Sequence, residues 1–308
     1  MRRWWSGLKP FMISGLPKSS SLRYFLGLYM RWNFPLYGYF GIGLIALVKL
    51  ALALDWRPWT VWTTPVAWTG YIFFMDAWNY RLRGRSLVMD RTREFFLMLP
   101  LSVGLWEIFE GYNLFIRNWH YVGLPEQLWV RYSGYAWSFA TIIPAVFETA
   151  EWAIGWTPFR RPRRGIKVTK GMLYSFIFCG AVFLVLPLIS PFRYARYMAA
   201  LVWAGFALLL DPINYLRGRE SILRDWERGE YGRFAALLLA GLICGVLWEF
   251  WNYWAAAKWI YDVPILGNIK LFEMPVLGFL GFPPFAVELF VMYNALRRFP
   301  LQTYISKG

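Results

Sequence analysis

Histidine occurs once in the 308 residues, as His120, and cysteine twice, as Cys179 and Cys244. A single histidine excludes bis-histidine haem within one chain, and the oxygen-activating membrane enzymes that gather many imidazole ligands. Two cysteines in apolar runs exclude a disulfide framework. Charge is scarce as well: Asp, Glu, Lys and Arg make up 17% of the chain, against 58% hydrophobic and 21% aromatic residues. A water-facing surface is hard to cover from that stock, so the chain reads as an integral membrane protein. No nucleotide-binding loop, zinc motif or Ser/Cys–His arrangement is present. ATP coupling and hydrolysis are therefore not expected, nor is a metal or cofactor.

What the chain does have is long apolar runs. Windows of about 20 such residues cross roughly 30 Å of hydrocarbon, and backbone groups in lipid must satisfy one another, so each window is a helix. Eight are expected, at about 34–54, 59–80, 95–115, 133–154, 171–190, 195–215, 234–255 and 275–297. The fold class is an all-α polytopic bundle. The net charge of +15 would suit nucleic acid, but the cations sort by connection. With these spans, 25 of the 33 Lys and Arg fall on the side that holds both termini. The positive-inside rule makes that side the cytoplasm of a bacterial-type inner membrane, and no nucleic acid partner is expected. The segment Leu22–Trp32 mixes Leu, Tyr, Phe and Trp with two arginines and suits an interfacial helix or an ordered lead-in.

The halves repeat each other. Asp76-x-x-Asn79-Tyr80 with Arg83-Gly84-Arg85-Ser86 recurs as Asp211-x-x-Asn214-Tyr215 with Arg217-Gly218-Arg219 and Ser221. Trp106-Glu107 recurs as Trp248-Glu249, Trp119-x-Tyr121 as Trp259-x-Tyr261, and Pro144 to Glu148 as Pro284 to Glu288. The expected organisation is an N-terminal segment 1–33, a four-helix repeat 34–158, a basic linker 159–170, a second repeat 171–298 and a tail 299–308. Four spans per repeat make the copies parallel, related by an axis along the membrane normal.

Acids inside a bilayer are costly and mark function by default. The candidates for catalysis are Glu148, Glu288, Asp76, Asp211, Glu107 and Glu249. Those for substrate binding are Asn79, Asn214, Arg83, Arg85, Arg217, Arg219, Trp106 and Trp248. Two guanidiniums on a glycine turn suit a phosphate or carboxylate, such as an anionic lipid headgroup on the cytoplasmic side. The same aspartates could instead cap loops and lock the repeats. Glu148 and Glu288 suit either hydrogen bonding between helices or general-acid work, and Pro144 and Pro284 open space beside them. Aromatic rings beside an acid could pack, or could stabilise a carbocation.

The order Trp-acid, Trp-x-aromatic and Pro…Glu, seen at Trp248-Glu249, Trp259-x-Tyr261 and Pro284…Glu288 and again in the first half, resembles the integral-membrane lycopene cyclase domain. In that family the first acid is Asp and the last element carries two acids, so this chain departs at both points. The resemblance implies redox-neutral protonation of an isoprenoid double bond, with Glu148 and Glu288 as the acids. A proton- or cation-coupled carrier and a non-catalytic membrane subunit are the alternatives, and protein partners are unknown.

Overall fold

The computed structural model describes residues 34–155 and 163–297. The segment Leu22–Trp32, the tail 299–308 and the first part of the basic linker lie outside the described residues. Nearly all of the ordered structure is helical. The helices are α1 (Leu36–Ala53), α2 (Thr63–Arg83), α3 (Thr92–Ile116), α4 (Leu128–Ala140), α5 (Ile142–Ala153), α6 (Lys170–Ile189), α7 (Ala199–Leu216), α8 (Gly232–Trp254) and α9 (Phe282–Leu296). One departure from the all-helical expectation is a short ribbon of β1 (Trp119–Val122) and β2 (Lys258–Tyr261), and a smaller one formed by β3 (Lys270–Leu271) and β4 (Met274–Pro275).

Among the described residues, six segments are long and apolar enough to cross a membrane: α1, α3, α6, α7, α8, and α9 with the 3₁₀ turn Val276–Gly281 before it. The windows expected at 59–80 and 133–154 fall on α2 and on α4–α5. Helix α2 is long enough but carries Asp76, Asn79, Arg81 and Arg83. The other window is broken at Thr141, because Pro144 has no amide to return to Ala140. Ser102 of α3 bridges the break, donating to the Phe139 carbonyl (2.5 Å) and accepting from the Ile143 amide (3.1 Å).

In hydrocarbon, helices gain little by hiding apolar surface from lipid, so close approach and buried polar pairs hold them together. Helix α1 crosses α2 at Gly41, where a Cβ would come within 2.5 Å of the Gly70 carbonyl oxygen. Helix α6 crosses α7 at Gly180, where a Cβ would meet the Gly205 carbonyl oxygen at 2.8 Å. Helix α5 packs on α2 and α3, α9 packs on α7 and α8, and α8 lies against α5 to join the halves. Gly84 ends α2 with φ 72°, and Gly218 follows α7 with φ 71°, the left-handed conformation that glycine adopts without strain. These two turns mark one end of the bundle. The β1–β2 ribbon, formed between the connections that follow α3 and α8, marks the other.

Candidate functional site

The expected site residues separate into two layers. At the glycine-turn end, Asp76 Oδ1 accepts from the Val88 amide (2.7 Å), and its Oδ2 from the Ser86 (2.7 Å) and Tyr37 (2.6 Å) hydroxyls. Asp211 does the same work: Ile222 and Leu223 amides donate at 2.8 and 2.9 Å, and the Ser221 hydroxyl at 3.1 Å. Both aspartates are buried. Each holds the start of the short helix that follows its glycine turn.

Asn79 donates to the Glu148 carbonyl (2.9 Å) and carboxylate (2.6 Å), whereas Asn214 donates to the Val291 carbonyl (2.9 Å). Arg83 donates to the Glu151 carbonyl at the end of α5. Arg219 donates to the Asn294 (3.0 Å) and Ala295 carbonyls at the end of α9. These guanidiniums therefore cap helix C-termini, where the carbonyls have no partner within the helix. Arg85 and Arg217 are exposed beside them. Asp225, in the short helix Ile222–Glu227, pairs with Arg233 at 3.0 Å. Burial pushes its carboxyl up to about 7, against the opposing pull of Arg233.

The ribbon end is different. An apolar chamber of about 430 Å³ lies beneath the ribbon and is walled by both halves. That volume falls among those of small-molecule sites, roughly 300–1,000 Å³. Trp106 and Trp248 meet across it with ring centroids 5.7 Å apart. Trp68 stands edge-on to Trp248 (5.7 Å), and Phe285 edge-on to Trp106 (5.9 Å) and Trp203 (5.2 Å). Ribbon residues Trp119, Tyr121, Trp259 and Tyr261 complete the wall.

Two carboxylates stand behind these rings. Glu110 Oε1 accepts from Trp106 Nε1 (2.8 Å), Trp119 Nε1 (3.2 Å) and the Tyr121 hydroxyl (2.5 Å). Glu249 Oε1 accepts from the Tyr261 hydroxyl (2.9 Å) and, at 3.4 Å, from Trp259 Nε1, while its buried Oε2 has no hydrogen-bond partner. Burial, reinforced by the neighbouring carboxylate, pushes the Tyr121 and Tyr261 phenols well above their ordinary value. Both hydroxyls therefore keep their protons. Asn113 and Asn252, one turn after the acids, each clamp the ribbon by accepting from the amide and donating to the carbonyl of Trp119 and Trp259 respectively.

The geometry corrects two expected pairings. Glu107, expected opposite Glu249, is exposed on the outer face of α3, and Glu110 takes the place beside the ribbon. Glu288, expected opposite Glu148, lies one turn ahead of Val291, the residue that meets Asn214 as Glu148 meets Asn79. Glu288 is fully buried, and neither of its carboxyl oxygens finds a side-chain partner. Neither Glu148 nor Glu288 lines the chamber. Of the expected site residues, Trp106 and Trp248 line it and Glu249 stands behind its wall. Glu110 was outside the expected set, although the recurring Trp-x-Tyr element that meets it was in view. Compared with protein-family models, with curated proteins and with solved structures, the chain matches none.

Proposed function

We propose that this protein is a multi-pass inner-membrane enzyme that binds a membrane-dissolved isoprenoid or lipid in the aromatic chamber and acts on it by protonation. Two equivalent four-span halves, eight spans in all with both termini cytoplasmic, build it. Support for equivalent halves comes from features that recur in both: the glycine crossings, the aspartate caps, the tyrosine–glutamate pairs, and an arginine cap supplied from before the glycine in one half (Arg83) and from after it in the other (Arg219). The ribbon adds its register, Trp119 opposite Tyr261 and Tyr121 opposite Trp259, which is the pairing a two-fold axis through His120 and Ile260 produces.

The observation that carries the functional reading is the pair of carboxyls placed behind a wall of aromatic rings. A carboxylic acid is the group that can protonate an alkene, and Tyr121 and Tyr261 join each one to the chamber surface. The proton adds to one alkene carbon, a C–C bond closes on the resulting cation, and a neighbouring carbon returns a proton to a carboxylate. No oxidant or reductant enters that balance. Rings whose N–H and O–H groups donate to a carboxylate present electron-rich faces, and such faces stabilise a cation. The acids assigned are Glu249 and Glu110, in place of the Glu148 and Glu288 that the lycopene cyclase resemblance implies. A carrier would need a continuous polar route between the two layers, and the core there packs Leu105, Ile142, Ile143, Val146, Phe285 and Phe290 around the Tyr71–Thr149–Cys244 hydrogen bonds and Glu288.

Expression in a lycopene-accumulating host, with pigments separated by chromatography, tests the chemistry. Cyclised pigment that disappears on Glu249→Gln is the expected result. Unchanged pigment with verified membrane insertion would remove the lycopene version.

A further inference from the structure

One wall of the chamber carries a charge that has no counter-ion among the described residues. Arg131, in the first turn of α4, is half-buried and lines the chamber. Its Nε and Nη2 donate to the Pro125 carbonyl at 3.0 and 2.9 Å, which fixes the guanidinium plane and leaves Nη1 for another acceptor. Among the described residues no carboxylate lies within ion-pair distance of it. The other cation of the wall, Lys258, pairs with Glu273 at 2.5 Å. Among the described residues Arg131 is therefore the chamber's uncompensated positive charge. A partly desolvated guanidinium beside apolar surface gains most from an oxyanion that meets its planar fork.

The rest of the wall is aromatic and aliphatic, so an anion alone would leave it unfilled. Trp106 and Trp248 lie against the ribbon rings Trp119 and Trp259, at 6.1 and 6.0 Å between centroids. Arg131 stands on the same wall from the fourth position of α4. One charge on an otherwise aromatic and aliphatic wall matches a molecule with a charged head and an apolar tail. We propose that the chamber also accepts a phosphate or diphosphate ester of an isoprenoid, its tail between Trp106, Trp248 and Phe285 and its phosphate on Arg131. This rests on the reading of the chamber as a site for an apolar chain, and it adds a head that such a chain can carry.

The test uses the purified full-length chain in detergent and radiolabelled farnesyl phosphate and farnesol, with inorganic phosphate as competitor. Farnesyl phosphate should bind at least about tenfold more tightly than farnesol, with a preference that shrinks as salt rises. Arg131→Gln should bring the two ligands to within about twofold and leave farnesol binding unchanged, which also reports that the variant is folded. Arg131→Lys should retain part of the preference. Millimolar inorganic phosphate should not displace the ester. Equal binding of the two ligands by the wild type, a preference that survives Arg131→Gln, or complete displacement by inorganic phosphate would each overturn the assignment. The first comparison needs no variant. Farnesol binding without a phosphate preference removes only the head group, whereas binding of neither ligand removes the apolar-chain reading itself.

Discussion

Replacing Asp211 by alanine separates a structural aspartate from a catalytic one. The carboxylate receives the Ile222 amide at 2.8 Å, the Leu223 amide at 2.9 Å and the Ser221 hydroxyl at 3.1 Å, all buried. Alanine orphans two backbone donors that cannot turn to water, while the hydroxyl can rotate. At about 1–3 kcal/mol per orphaned buried donor, the loss is about 2–6 kcal/mol. Chains of 150–250 residues lose about 2–4 °C in Tm per kcal/mol, so a fall of roughly 4–24 °C is expected. Asp76 receives only one amide, that of Val88, beside two hydroxyls, so Asp76→Ala should cost less than Asp211→Ala. Thermal unfolding of the detergent-solubilised protein, followed by size-exclusion chromatography after heating, gives both values. Farnesol binding measured well below the transition should stay within about twofold of wild type. A variant that melts like wild type yet loses ligand would refute the reasoning and return Asp211 to the site.

Glu249→Gln should abolish product formation, and Glu110→Gln should lower it less, as read by chromatography of membrane extracts with expression matched. Trp248→Ala should weaken farnesol binding about tenfold or more, since it removes a ring that faces the chamber, while Trp254→Ala, on an exposed ring of the same helix, should leave it unchanged. Asp225 adds a pH dependence. Its folded carboxyl, pushed up to about 7 by burial, holds its proton more tightly than the unfolded chain does. Its contribution therefore favours folding more as pH falls from 7 towards 4, and costs stability as pH rises through 7. Asp225→Asn should flatten that part of the Tm-against-pH profile relative to wild type, and parallel profiles would refute the assignment.

The membrane class and the spans on α1, α3 and α6 to α9 were legible because a bilayer demands length and apolarity together. The Asp-x-x-Asn and Arg-Gly-Arg elements were legible because glycine in the left-handed conformation and a capping aspartate leave marks on fixed positions. On the proposed duplication, the sequence places the residue matches between the halves only to within one helical turn. A slip of three residues keeps side chains on nearly the same helix face, so Trp106-Glu107 aligns with Trp248-Glu249 as convincingly as Glu110 does with Glu249. The ribbon decides the register, since Tyr121 reaches Glu110 and Tyr261 reaches Glu249. A four-residue strand carries too little periodicity to announce itself. The break at Thr141 was half visible, because Pro144 showed a missing donor but not that Ser102 would satisfy the groups it freed.

The two layers differ in the kind of donor that each carboxylate meets, and that difference separates holding from acting. Asp76 and Asp211 accept from backbone amides, whose positions are set by the helices they start. A proton moved onto either one would break a helix start, so these acids are poor partners in a reaction. Glu110 and Glu249 accept from side chains alone, and those side chains also form the chamber wall. A ligand that reorders Tyr261 or Trp259 changes what Glu249 meets without disturbing any backbone hydrogen bond. The two are not equal, because three donors converge on Glu110 Oε1. Glu249 has one close donor and one at 3.4 Å, and an oxygen with no partner, where a carboxylic acid can keep a proton available. On the proposed protonation chemistry, Glu249 is the proton donor and Glu110 the carboxyl that steadies the cation once it forms.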